Sequence, residues 1–118
     1  MADINRFTRA GATRARAVVH GGRVYTVATS PVKSASMEVQ TRAALEQLDL
    51  HLAEAGSHKS RLLTVTVYIT DMACKPDMNR AWDAWVDIGN PPQRACIGAT
   101  LEGDDLIELV AVAAVLED

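Results

Sequence analysis

Cysteine and aromatic side chains are both scarce in this chain: two cysteines, Cys74 and Cys96, and 4% Phe, Trp and Tyr in 118 residues. Two cysteines do not make the disulfide framework of a small secreted domain. The opening residues, Met1-Ala2-Asp3-Ile4-Asn5, lack the apolar stretch of a secretory signal. No run approaches the roughly 18 apolar residues of a membrane span, and even the stretch 106–116 is interrupted by Glu108. The expectation is a soluble protein of a reducing compartment, with the cytoplasm as default and no membrane partner. Positive charge is not in excess either, the formal net charge being −3. Arg6, Arg9, Arg14, Arg16 and Arg23 gather near the N-terminus, but strands would scatter them over opposite faces and no aromatic platform accompanies them. Nucleic acid is therefore not an expected partner. There is no Walker loop, no G-x-G-x-x-G and, around Ser30 to Ser36, no Gly-x-Ser-x-Gly elbow. His20, His51 and His58 match no zinc spacing, so neither a metal nor a cofactor is expected.

What remains is ordinary globular material: 48% apolar and 23% charged residues, enough for one core and one domain over 1–118. No linker, low-complexity segment or repeat interrupts it. Residues 7–10 and 14–19 read as short strands, and the β-rich run 23–28 follows the Gly21-Gly22 turn as the second arm of a hairpin. From Ser36 to Ala55 the spacing turns helical, with Ala44, Leu45, Leu48, Leu52 and Ala55 on one stripe. Ser36 suits the N-cap, Glu38 the first turn and Gly56 the stop; His51 falls at the stripe's boundary. Residues 62–69 alternate, with Leu63, Val65, Val67 and Ile69 on one side and Thr64, Thr66 and Tyr68 on the other. Pro76 opens a second helix whose stripe is Met78, Ala81, Trp82, Trp85 and Val86. A strand through Arg94, a turn at 102–105 and a last strand over 106–115 complete the chain.

Two helices cover one face of a sheet of five or six strands. The other face would then be polar, yet Val110-Ala111-Val112-Ala113-Ala114-Val115 is apolar without alternation, as in a strand buried on both sides. With no third helix available, the economical cover is another copy of the chain, and a homo-oligomer is expected with clefts between subunits.

The segment Pro91-Pro92-Gln93-Arg94-Ala95-Cys96-Ile97-Gly98-Ala99 carries the chemistry. On a strand, Arg94, Cys96 and Gly98 project together. The guanidinium offers a planar fork for a carboxylate or phosphate, and the glycine leaves room beside the backbone. On periodicity alone Arg94 reads more readily as a strand arginine in a structural ion pair than as a site residue. Cys96 has no neighbouring histidine in sequence and lines rather than attacks. Glu108 lies in phase with Val110 and Val112; a carboxyl in such apolar surroundings suits acid–base work, and an ion pair with a partner-chain arginine is the competing reading. Cys74 reads as a loop residue, and Trp82 and Trp85 as core.

Four pieces in register resemble one family. They are Thr64-Val65-Thr66-Val67-Tyr68-Ile69-Thr70-Asp71-Met72, Met78-Asn79-Arg80-Ala81-Trp82, Pro92-Gln93-Arg94-Ala95-Cys96 and Leu106-Ile107-Glu108-Leu109-Val110-Ala111, with the Val24-Tyr25-Thr26 hairpin fitting as well. In order and spacing they resemble the RidA/YjgF family, and the second piece, continued to Val86, is most like its YoaB-type branch.

The resemblance implies an α+β, chorismate-mutase-like fold, with a mixed sheet of five to six strands and two helices on one face. It also implies a homotrimer with inter-subunit clefts. The implied activity is hydrolysis of reactive 2-imino and enamino acids to 2-oxo acids and ammonia. Arg94 would bind the substrate carboxylate, Cys96 would line the catalytic pocket, and Glu108 would hold or activate water. The backbone at Ala28 would lie on the substrate side, and Asn79 matches a family position near the site on the second helix, where a structural role, capping or bonding backbone, outweighs contact with substrate. The chain departs from the family where a tyrosine is usual, carrying Arg14, and where a Ser-Gly-Gln-like turn is usual, reading Val27-Ala28-Thr29. A non-catalytic binder of 2-oxo acids and an RNA-cleaving protein are the alternative readings, the latter opposed by the acidic balance.

Overall fold

The computed structural model describes residues 3–9 and 11–116. Six strands, β1 (Asn5–Arg9), β2 (Ala15–His20), β3 (Arg23–Thr29), β4 (Leu62–Ile69), β5 (Gln93–Gly98) and β6 (Ile107–Ala114), form one sheet in the order β1-β2-β3-β6-β4-β5. The helices are α1 (Met37–Glu54) and α2 (Lys75–Trp85). Every strand pair is antiparallel except β4 with β5, which α2 connects. The result is the mixed α+β architecture expected for a YjgF-like chain.

Local chemistry accounts for the elements. Gly21 and Gly22 both sit at positive φ (59° and 79°), which a two-residue turn between right-twisted strands demands and glycine supplies without strain. Ser36 caps α1 by accepting from the Val39 N–H at 3.2 Å, and Gly56 leaves the helix at φ 82°. Pro76 occupies the first turn of α2, where its missing N–H goes unnoticed. The first strand differs at its edges from the expected 7–10: it starts at Asn5, and Ala10 lies outside the described residues.

Both helices lie on one face. Toward them point Val24, Thr26 and Ala28 of β3, Leu62, Val65, Val67 and Ile69 of β4, and Ile107, Leu109, Ala111 and Ala113 of β6, all buried. One expectation is corrected here. A β-bulge between Leu62 and Thr64 puts two residues opposite one, so Leu62 takes the core position and Leu63 is exposed. The inner stripe of α1 is also more polar than its aliphatic residues suggest, because Gln40, Thr41 and His51 are buried on it. Each is satisfied. Gln40 donates to the carbonyls of Lys33 (2.6 Å) and Asp104 (3.0 Å) and accepts from the Leu106 N–H (2.9 Å). One buried amide thus ties both loops, 30–36 and 99–106, to the helix.

The opposite face is bare. Its cross-strand rows read Val18, Tyr25, Val112, Thr64; then Val27, Val110, Thr66, Ala95; then Thr29, Glu108, Tyr68, Ile97. Tyr25, Val27 and Ile97 are 45%, 46% and 43% exposed, an apolar surface on a slab only 19 Å thick. Two layers fill that thickness, with sheet and helices spaced about 10 Å apart. Among the described residues no helix is long and apolar enough to cross a membrane.

Candidate active site

Arg94 sits on edge strand β5 opposite Val65, and therefore on the helix side of the sheet. Its guanidinium lies 5.2 Å from the Trp82 ring centroid, in cation–π range, and Nη1 approaches the Met78 sulfur at 3.7 Å. No carboxylate among the described residues pairs with it. A half-buried guanidinium held by a ring face and a thioether keeps its in-plane donors available, and these are the groups that clamp an oxyanion. Cys96 follows on the same face, opposite Val67, half-buried and free. Gly98, next on that face, would let an added Cβ come no nearer than 3.6 Å to Met72 Cε. Asn79 lies one residue past Met78 on α2, and its side-chain oxygen is buried with no hydrogen-bond partner among the described residues. Such an acceptor is unfavourable unless something donates to it.

Glu108 is elsewhere. It faces the bare side of β6, between Thr29 of β3 and Tyr68 of β4. It lines a groove of about 590 Å³ together with Arg14, Arg16, Thr29, Lys33 and His51. Its setting is apolar along its own strand only; the groove itself carries charge of both signs. Lys33 pairs with Asp105, both of them on the groove wall. Ala28, expected on the substrate side, turns its side chain into the core with 2% exposure, and its neighbours Val27 and Thr29 line the groove instead.

His51 forms the inner wall. The Thr26 hydroxyl donates to the Arg16 carbonyl at 2.7 Å, so toward His51 Nδ1, 3.2 Å away, it offers only lone pairs. The ring proton is therefore on Nδ1. Burial, seconded by the charge of Arg16, holds the imidazole pKa below its ordinary value. Cys74 is the opposite case: desolvation, then the Asp71 carboxylate, push its thiol up, away from nucleophilic use.

The sequence-derived residues thus fall into two groups that one chain does not bring together. Arg94 and Cys96 border the helix side at the β5 edge and Asn79 lies on α2 with its side-chain oxygen buried, while Glu108 faces away from the helices.

Comparison with known proteins decides the family. The endoribonuclease L-PSP family model matches residues 1–115. A RutC family protein of Haemophilus ducreyi is 38% identical over 99 residues, covering 82% of this chain and 85% of its own. The RutC family protein YoaB of Escherichia coli K12 is 35% identical, covering 83% and 87%. The crystal structure of NMB1025 from Neisseria meningitidis, a member of the YjgF family, superposes with TM-score 0.91 at 32% identity, covering 98% of each chain. The chain belongs to the RidA/YjgF family.

Against that family frame, sequence reasoning found the charged residues and missed their supports. Trp82 was expected in the core and is 6% exposed, but its ring also carries Arg94. Only the adjacency of α2 to β5 reveals this, although Met78 and Trp82 at i and i+4 already mark one helix face. Gln40, which fixes the groove loops, gave no signal, because a glutamine at a helical position reads as surface.

Proposed function

We propose that this RidA/YjgF protein hydrolyses reactive 2-imino and enamino acids to 2-oxo acids and ammonia, in a cleft shared between copies of the chain. The observation that carries this reading is the division of the charged groups. Arg94 and Glu108 lie on opposite faces of one sheet, so a reaction using both takes one from each of two subunits. The bare apolar face supplies a reason for the subunits to meet, and the family resemblance implies three of them.

The chemistry needs little machinery. An imine carbon is already electrophilic, and oriented binding with proton transfer suffices. Arg94 binds the substrate carboxylate in a bidentate pair. Cys96 lines the wall beside it, and Asn79, its side-chain oxygen buried, supports the site from α2. The Ala28 backbone borders the site from β3. Glu108 of the neighbouring copy takes a proton from water as the oxygen bonds to the imine carbon. It returns that proton to the imine nitrogen, giving a carbinolamine. It then takes the carbinolamine's hydroxyl proton and delivers it to nitrogen as the carbon–nitrogen bond breaks, leaving a 2-oxo acid and ammonia. No cofactor enters these steps.

The test is an imine generated in situ by an amino-acid oxidase, its decay followed with and without the protein. Wild type accelerates decay. Arg94→Ala abolishes both acceleration and 2-oxo-acid binding, while Glu108→Gln keeps binding and loses turnover by about 100-fold or more. Unaccelerated decay across small, aliphatic and aromatic imines would overturn the enzymatic reading and leave a binder of small carboxylates. Cleavage of RNA is opposed by the net charge of −3, and Phe7, the aromatic among the N-terminal arginines, packs against the core instead of offering a stacking platform.

A further inference from the structure

The groove around Glu108 holds arginines that the proposed steps do not use. The groove is about 590 Å³, ample for more than the smallest imino acids. Arg14 and Arg16 flank Ala15 at the start of β2, and both line it. Alternation along a strand aims side chains two apart at one side. Neither arginine has a carboxylate partner among the described residues, whereas Lys33 is already paired with Asp105. The charge of Arg16 reaches His51 on the groove wall. β2 is separated from β6 by β3 alone, and Arg14, Arg16 and Glu108 line the one groove at that end of the sheet. Two unpaired forks beside a catalytic carboxylate offset its repulsion of an anionic ligand. They also leave a cationic seat that an aliphatic or aromatic side chain does not use.

We infer that the preferred substrate is the imine of a short dicarboxylic amino acid, its first carboxylate on Arg94 and its second on Arg14 and Arg16. This rests on the shared-cleft reading above and adds the substrate class to it. The exposed Glu102 carboxylate, also on the groove, sets the limit on the effect, since it competes for the same cations.

The 2-oxo acids are stable where the imines are not, so binding decides the question. Titration calorimetry on the intact protein compares 2-oxoglutarate with 2-oxobutanoate. Wild type is expected to bind the dicarboxylate at least ten-fold tighter, Arg14→Ala to bring the ratio close to one, and the Arg14→Ala/Arg16→Ala double variant to erase it. Arg14 is exposed and outside the core, so the variants fold. Equal affinities in wild type, no binding of either acid, or a loss in Arg14→Ala that is the same for both acids would each overturn the inference. Turnover separates it from the broader proposal. Hydrolysis of monocarboxylic imines without preference for dicarboxylic ones would sink the dicarboxylate seat and leave the deaminase standing. A dicarboxylate preference in binding with no turnover would do the reverse.

Discussion

At the scale of single residues, the molecule separates charge that is held from charge that is free. Lys33 with Asp105 and Arg80 with Glu38 and Asp77 are paired. Arg94, Arg14 and Arg16 have no such partner among the described residues, and those three are the ones proposed above to meet the ligand. His51 yields a pH prediction. Its folded pKa is lowered by burial and then by Arg16, so the unfolded chain takes up a proton first as pH falls. The stabilisation is complete above about 6.5, the unfolded imidazole value. It is lost as pH drops from there to the folded pKa, with a slope of at most about 1.4 kcal/mol per pH unit. Urea melts between pH 5 and 8 should show this slope in wild type and a flatter profile in His51→Gln. An equally steep profile in the variant would remove His51 as its source.

Elements impose the next constraint. α1 is held by its cap and by its inner polar residues as much as by leucines: Ser36 accepts from Val39, Thr41 donates to the Met37 carbonyl at 2.7 Å, and Gln40 fastens two loops. Ser36→Ala should cost about 1 kcal/mol, read as a lowered denaturation midpoint with an unchanged slope. A midpoint that does not move would show that the Val39 N–H finds an equivalent partner. α2 matters for a different reason. By linking parallel β4 and β5 it lays Met78 and Trp82 against the side chain of Arg94, so the guanidinium is aimed by a helix rather than by its own strand.

For the whole molecule the issue is the uncovered face. A slab 19 Å thick leaves Tyr25, Val27 and Ile97 nearly half exposed, the surface that the proposed contact between copies would bury. Val110→Asp, in the middle row between Val27 and Thr66, should place a charge in the subunit contact, reduce the mass seen by light scattering and lower turnover in parallel. Arg94 and the core facing the helices would stay in place. An assembled and active Val110→Asp protein, or a wild type that is monomeric and fully active, would refute the shared cleft.

The sequence by itself determined the element order, the two-glycine hairpin, the Ser36 cap, the alternation that places Arg94 with Cys96, and the four segments that resemble the family. Each depends on neighbours within a few residues or on periodicity, which the chain carries locally. Tertiary structure alone decided the rest. The bulge that exchanges Leu62 for Leu63 arises from register against β6. The burial of His51 arises from packing on Thr26, and the seat of Arg94 on Trp82 from a helix laid across a strand. The division of Arg94 from Glu108 follows from strand order and residue parity together. Residues distant in sequence share a face only through the register of strands between them, and no local pattern states that register.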